Sequence, residues 1–203
     1  MSTPSFAMRL VHWQRQHGRH DLPWQHTRDP YRVWLSEIML QQTQVVTVID
    51  YFNRFLHRFP TVRDLAAATE DEVLGLWSGL GYYSRARYLH RAAQQVVAQH
   101  GGVFPQQAAL LETLPGIGRS TAAAIASVCF GERVAILDGN VKRVLTRHLG
   151  FDADLAQARA VTTLWERAQD RLPARAQDMP IYTQAVMDLG ATVCTPRQPR
   201  CDQ

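Results

Sequence analysis

The chain has 203 residues, 46% hydrophobic and 20% charged, enough apolar content for one large domain or two small lobes. A formal net charge of +4 is compatible with a polyanionic partner but too small to establish one, and three cysteines make a secreted disulfide scaffold a poor fit. No apolar run reaches the ~18 residues of a membrane span, and MSTPSFAMRLVHW lacks the charged head and apolar core of a signal peptide, so a cytoplasmic protein is expected.

Helix signals recur along the chain, and strand alternation is nearly absent. Asp29-Pro30 opens YRVWLSEIMLQQ, with Asp as the cap and Pro in the first turn. TVRD (61–64) and TEDE (69–72) read as capping boxes. YSRARYLHRAAQQVVAQH stops at Gly101, and NVKRVLTRHL stops at Gly150. DLAQARAVTTLWERAQDRL and PIYTQAVMDLGATVC complete an all-α chain of about ten helices. Lys142 is the only lysine. Arginine forks pair bidentately with phosphate, but a biased genome gives the same skew, and composition leaves the two explanations open.

Between two of these helices stands TLPGIGRSTAAAIAS (113–127). Glycine at 116 and 118 permits positive φ and removes the Cβ that would obstruct a ligand. The amides opening the second helix then favour an anion such as a DNA phosphate, while Ile117 tucks back between the helices. A bare G-x-G also makes plain helix corners; the flanking Leu-Pro and R-S-T-A-A-A favour a DNA-binding hairpin.

Two carboxylates are set in contrasting contexts. Glu37 has Val33 and Trp34 one helical turn before it, and Leu40 and Gln41 one turn after. Desolvation there favours the neutral acid, which at an unperturbed pKa near 4.3 is only about one molecule in 500 at pH 7. The alternative is a Glu that reaches past its neighbours to water. Asp138 follows VAIL and precedes GNVKR, so its first reading is a helix N-cap, a position that also keeps it ionised. A neutral acid working with a charged carboxylate is the pairing that breaks glycosidic bonds.

LPGIGRSTA, ILDGNVKR and VWLSEIMLQQTQV together resemble the helix-hairpin-helix DNA glycosylases, specifically the adenine DNA glycosylases of the MutY type. LPW (22–24), GLGYYSRAR (79–87) and QAVMDLGATVC (184–194) extend the likeness over almost the whole chain. The resemblance implies two helical lobes with the active site in the cleft between them. One would be a six-helix barrel over 22–132, with the hairpin at about 106–129, and the other would combine 1–21 with 133–203. It implies excision of adenine opposite 8-oxoguanine or guanine in double-stranded DNA, by a monomer with no membrane partner, at the nucleoid in a bacterium. Glu37 would protonate the adenine, Asp138 would stabilise the cationic sugar, and Asn140 would support the site. Trp24, Leu40 and Gln184 would line the adenine pocket, although Leu40 also fits ordinary packing. Gln42 would probe the partner strand and Tyr82 would wedge the stack. Gly116, Gly118, Ser120 and Lys142 would meet phosphates.

The family continues Cys-x6-Cys-x2-Cys-x5-Cys, the ligand set of a [4Fe-4S] cluster. Cys194 and Cys201 match the first spacing, and the third ligand would be residue 204, so a cluster protein whose ligand set runs past residue 203 is expected; two free loop thiols are the alternative. Cys129, among small residues, reads as core packing. The resemblance also implies a C-terminal domain for recognising 8-oxoguanine, which residues 1–203 do not include. Endonuclease III-type relatives need a lysine amine at the start of the second hairpin helix, where this chain has Ser120. Relatives of the adenine enzyme often carry Tyr there, so a thymine glycosylase for G·T mismatches stays open. A non-catalytic DNA-binding module is the reading from another class.

Overall fold

The computed structural model describes residues 5–202; the first four residues of the N-terminal stretch read above, and residue 203, lie outside the described residues. Among those described are eleven α-helices, one short 3-10 turn (Ala176–Asp178) and no β-strand. The helices are α1 (Phe6–His17), α2 (Pro30–Leu40), α3 (Val45–Arg58), α4 (Val62–Ala67), α5 (Glu70–Trp77), α6 (Ser84–His100), α7 (Ala108–Leu111), α8 (Arg119–Phe130), α9 (Gly139–Leu149), α10 (Ala158–Gln169) and α11 (Met179–Thr192). No helix among the described residues is long and apolar enough to cross a membrane. Two compact units account for the chain: Asp21–Ile125, and Met1–His20 joined with Ala126–Gln203.

In the unit Asp21–Ile125, α6 packs against α2, α4 and α5, and α3 against α2 and α5. Its helix starts follow the local chemistry anticipated from the sequence. Asp29 caps α2 through the Tyr31 amide (2.9 Å) with Pro30 in the first turn, and Thr61 and Thr69 form reciprocal boxes with Asp64 and Glu72. Gly101 closes α6 in the left-handed conformation. Trp34, Phe52, Phe55, Phe59 and Trp77 are buried to 1% exposure or less, with Phe55 edge-on to both Phe59 and Trp77. Each such side chain contributes roughly 1.5–3 kcal/mol on burial. Tyr31 donates its hydroxyl to the Phe59 carbonyl (2.8 Å), and burial pushes its pKa upward.

In the other unit α11 packs on α1 and α9, and α9 on α10. Leu10, Val11, Val144, Leu145, Leu164, Met179 and Val186 are buried there. The buried run Ala135–Leu137 leads to Asp138, and Gln169 binds this stretch by accepting from the Ala135 amide (3.0 Å) and donating to the Arg133 carbonyl (2.9 Å).

Candidate active site and nucleic-acid interface

In the unit Asp21–Ile125, α7, the turn at 112–118 and the first turn of α8 form the hairpin. Ile117 is buried as expected, its amide donating to the Leu114 carbonyl at 3.2 Å. The two glycines differ. Gly116 has φ +74°, and a Cβ there would stand 2.6 Å from the Tyr88 Cβ, so both conformation and space demand glycine. Gly118 corrects the expectation of positive φ at both positions: its φ lies outside the left-handed region, and an added Cβ would meet nothing within 4 Å. What Gly118 supplies is open space beside the start of α8, whose first amides have no intrahelical acceptors. Gly116, Gly118 and Arg119 are exposed, and Ser120 follows half-buried.

Glu37 is half-buried on α2, with Val33 and Trp34 buried one turn before it and Leu40 half-buried one turn after. Trp24 is buried, its ring edge-on to Phe52 at 5.4 Å, so packing is at least part of its role. Just past α2, Gln42 is exposed with φ 56°; Tyr82, at the tip of the 78–83 loop, is 61% exposed with φ 48°. A left-handed conformation costs a residue with a side chain about 1 kcal/mol or more, so each must be held by its surroundings.

Arg85, which the sequence reading missed, binds backbone beside both of them. Only 8% exposed, it donates from Nη1 to the carbonyls of Ile38 (2.9 Å), Met39 (3.0 Å) and Gln41 (2.6 Å). From Nη2 it reaches the Thr43 hydroxyl (3.2 Å) and the Leu80 and Gly81 carbonyls (both 3.3 Å). It thereby caps the orphan carbonyls at the C-terminus of α2 from another helix. Burial lowers its pKa. A signal existed: Arg85, Ala86, Leu89, Ala92, Ala93 and Val96 form the buried stripe of α6, and an arginine on an apolar stripe needs internal partners.

In the other unit Asp138 is the N-cap of α9, its Oδ1 accepting from the Val141 amide at 2.7 Å. Asn140 accepts through Oδ1 from Arg143 Nη2 (2.8 Å), and Gly190 packs so closely that a Cβ there would lie 2.8 Å from the Asn140 Cβ. Arg143 also donates to the carbonyls of Gly190 (2.6 Å) and Cys194 (2.7 Å), joining α9 to the end of α11. Lys142 is half-buried. Gln184 belongs to a different cluster: its Nε2 donates to Asp188 (2.9 Å), a fully buried carboxylate that also accepts from Gln14 Nε2 (2.9 Å), the Arg19 amide (3.0 Å) and the Arg19 guanidinium (2.5 and 2.8 Å). Asp188 was missed too, although a carboxylate inside PIYTQAVMDLGAT announces a buried partner.

Cys194 is half-buried, its Sγ accepting from Arg147 Nη1 at 3.5 Å, and Cys201 is exposed. Arg147 also binds the Thr195 and Pro196 carbonyls, and Arg200 the Thr192 carbonyl. These two arginines thus hold the backbone on either side of Cys194. The donor set is incomplete: among the described residues no three His, Cys, Asp or Glu side chains gather to hold a metal ion. Cys129, on α8, is half-buried rather than fully in the core.

Residues 35–169 match the family described as HhH-GPD superfamily base excision DNA repair protein. The adenine DNA glycosylase of Rattus norvegicus is 48% identical over 98% of this chain and 40% of its own length. That of Buchnera aphidicola subsp. Acyrthosiphon pisum is 42% identical over 97% of this chain and 55% of its own length. The chain thus spans about half the length of the curated relatives it matches. A thermostable thymine-DNA glycosylase superposes with TM-score 0.85 at 28% identity, covering 98% of this chain and 90% of that one. Endonuclease III in a non-covalent DNA complex superposes at 0.79 and 21% identity, covering 97% and 88%, and shows the shared fold. With a glycine hairpin, a capping aspartate at the mouth of α9 and a family match over two-thirds of its length, this chain belongs to the HhH-GPD superfamily of base excision DNA repair proteins.

Proposed function

We propose that this chain carries the base-excising part of a monofunctional adenine DNA glycosylase, acting as a monomer on adenine mispaired with 8-oxoguanine or guanine in duplex DNA. The observation that carries this reading is identity of 42–48% to adenine DNA glycosylases over 97–98% of the chain, against 28% to the thymine enzyme.

In the proposed chemistry Glu37 donates a proton to the adenine ring, making the base a neutral leaving group as the bond to deoxyribose breaks. The Asp138 carboxylate, at the positive end of α9, opposes the charge developing on the sugar, and water completes the hydrolysis. Asn140, fixed by Arg143, supports that carboxylate. Trp24, Leu40 and Gln184 contact the extruded adenine; Gln42 tests the opposite base and Tyr82 fills the vacated stack. Gly116, Gly118, Ser120 and Lys142 hold backbone phosphates. Within this reading the hairpin and Glu37 belong to a lobe over 22–132, and Asp138 to a lobe of 1–21 with 133–203. Cys194 and Cys201 would supply two of the four thiolates of a [4Fe-4S] cluster, which residues 1–203 do not complete. No step of the excision chemistry passes through it.

The test is base release under single-turnover conditions from duplexes carrying A:8-oxoguanine, A:G, A:T and G·T, with strands resolved after hot alkali. Adenine release from the first two pairs is expected, with an uncut strand before alkali. Thymine release from G·T with adenine left intact would replace this reading with the thymine enzyme, which the 0.85 superposition favours as the second possibility.

A further inference from the structure

Gln42 and Tyr82 are the only non-glycine residues with positive φ among the described residues, and each directly follows a residue whose carbonyl ends on the same guanidinium. We propose that Arg85 is the positioning residue that sets both probes at once, clamping the peptide units before Gln42 and Tyr82 so that opposite-base testing and stack filling are geometrically coupled.

Three observations carry this. The clamp is doubled: Arg85 binds the Gln41 carbonyl and Thr43 hydroxyl on either side of Gln42, and the Leu80 and Gly81 carbonyls just ahead of Tyr82. The same group touches the wedge itself, its carbon lying 5.6 Å from the Tyr82 ring centre and 5.3 Å from that of Trp77, whose indole also donates to the Gly81 carbonyl (3.1 Å). Finally, its six acceptors are carbonyls and one hydroxyl, never a carboxylate, and its Nε is buried without a partner. A buried cation so arranged is a poor way to stabilise a corner that apolar packing would serve. It is a good way to fix two loops with one planar fork, which a lysine cannot reproduce. The assembly continues into the hairpin, where a cavity of about 50 Å³ is lined by Gln41, Arg85, Tyr88 and Gly116 among others.

What the two probes touch rests on the proposed function; the clamp rests on the geometry, and the experiment separates them. Amide hydrogen exchange on Arg85→Met should show residues 41–44 and 79–83 losing protection together, while the interiors of α3 and α6 stay protected. On a duplex with 2-aminopurine at the target position opposite 8-oxoguanine, the variant should bind within about five-fold of the parent by anisotropy but lose the fluorescence rise of base extrusion. Single-turnover adenine release should fall by about 100-fold, the usual cost of misplacement by an ångström. Arg85→Lys should be intermediate on all three, and it decides the matter by the same comparisons if the Met variant does not fold. Loosening of one loop alone, of neither, or of the whole unit would overturn the clamp, as would binding and extrusion falling in parallel. A parent protein that extrudes and releases no adenine overturns the functional reading instead, and the exchange pattern alone then decides the clamp.

Discussion

Glu37→Gln preserves the outline of the side chain and removes the transferable proton. Its single-turnover adenine release should fall by about 10²–10⁴-fold while duplex affinity changes little; a rate within a few-fold of the parent would withdraw Glu37 as the acid. Asp138 needs a pair of substitutions, because the structure gives it a cap to the Val141 amide besides the proposed charge. Asparagine caps as well as aspartate, so Asp138→Asn should unfold at the parent's temperature and yet lose excision. Asp138→Ala should lose excision and also about 1 kcal/mol of stability. If Asp138 only caps, the Asn variant keeps its rate, which a melt and a rate measurement on the same preparation would reveal.

At the scale of elements, the hairpin glycines should separate cleanly. Gly116→Ala places a Cβ at positive φ against Tyr88 and should destabilise the protein by about 2 kcal/mol in denaturant titration. Gly118→Ala meets nothing in the protein and should stay within about 0.5 kcal/mol of the parent, yet weaken duplex binding by filling the approach to the first amides of α8. Unchanged binding by a stable Gly118→Ala protein would remove this turn from the interface. The α1–α11 contact is organised by Asp188, so Asp188→Ala strands the Arg19 fork, Gln14 and Gln184. Breaking a buried pair typically costs 3–5 kcal/mol, and because Arg19 keeps partial access to water the lower figure, about 3 kcal/mol, is expected in urea unfolding.

For the molecule as a whole, the proposed reaction should stop at hydrolysis. Ser120 lies one residue into α8, and Lys142 is the sole lysine, so the product should be an intact abasic strand. Ser120→Lys should introduce borohydride-trappable complexes and some strand cleavage without alkali, because a deprotonated amine near the sugar carbon can form a Schiff base. The monofunctional reading fails if the parent nicks the strand as fast as it releases the base.

The helices, their capping boxes at Thr61 and Thr69, the glycine stops at 101 and 150, the N-cap role of Asp138 and the burial of Ile117 were all legible in the sequence. Each depends on residues within about four positions, where helical geometry and backbone hydrogen bonding leave few alternatives. The family likeness was legible for a related reason, as ordered motifs of fixed local spacing. Only the tertiary structure decided which polar side chains on apolar stripes find one another. Arg85 reaches carbonyls more than 40 positions away, and Asp188 reaches Gln14 and Arg19 across about 170. Periodicity marks such residues as buried but carries no information about their partners, because a hydrogen bond between distant segments exists only once packing has set their register. The left-handed turns at Gln42 and Tyr82 belong to the same class: their local sequence disfavours that conformation, and a guanidinium from another element binds the carbonyls beside them.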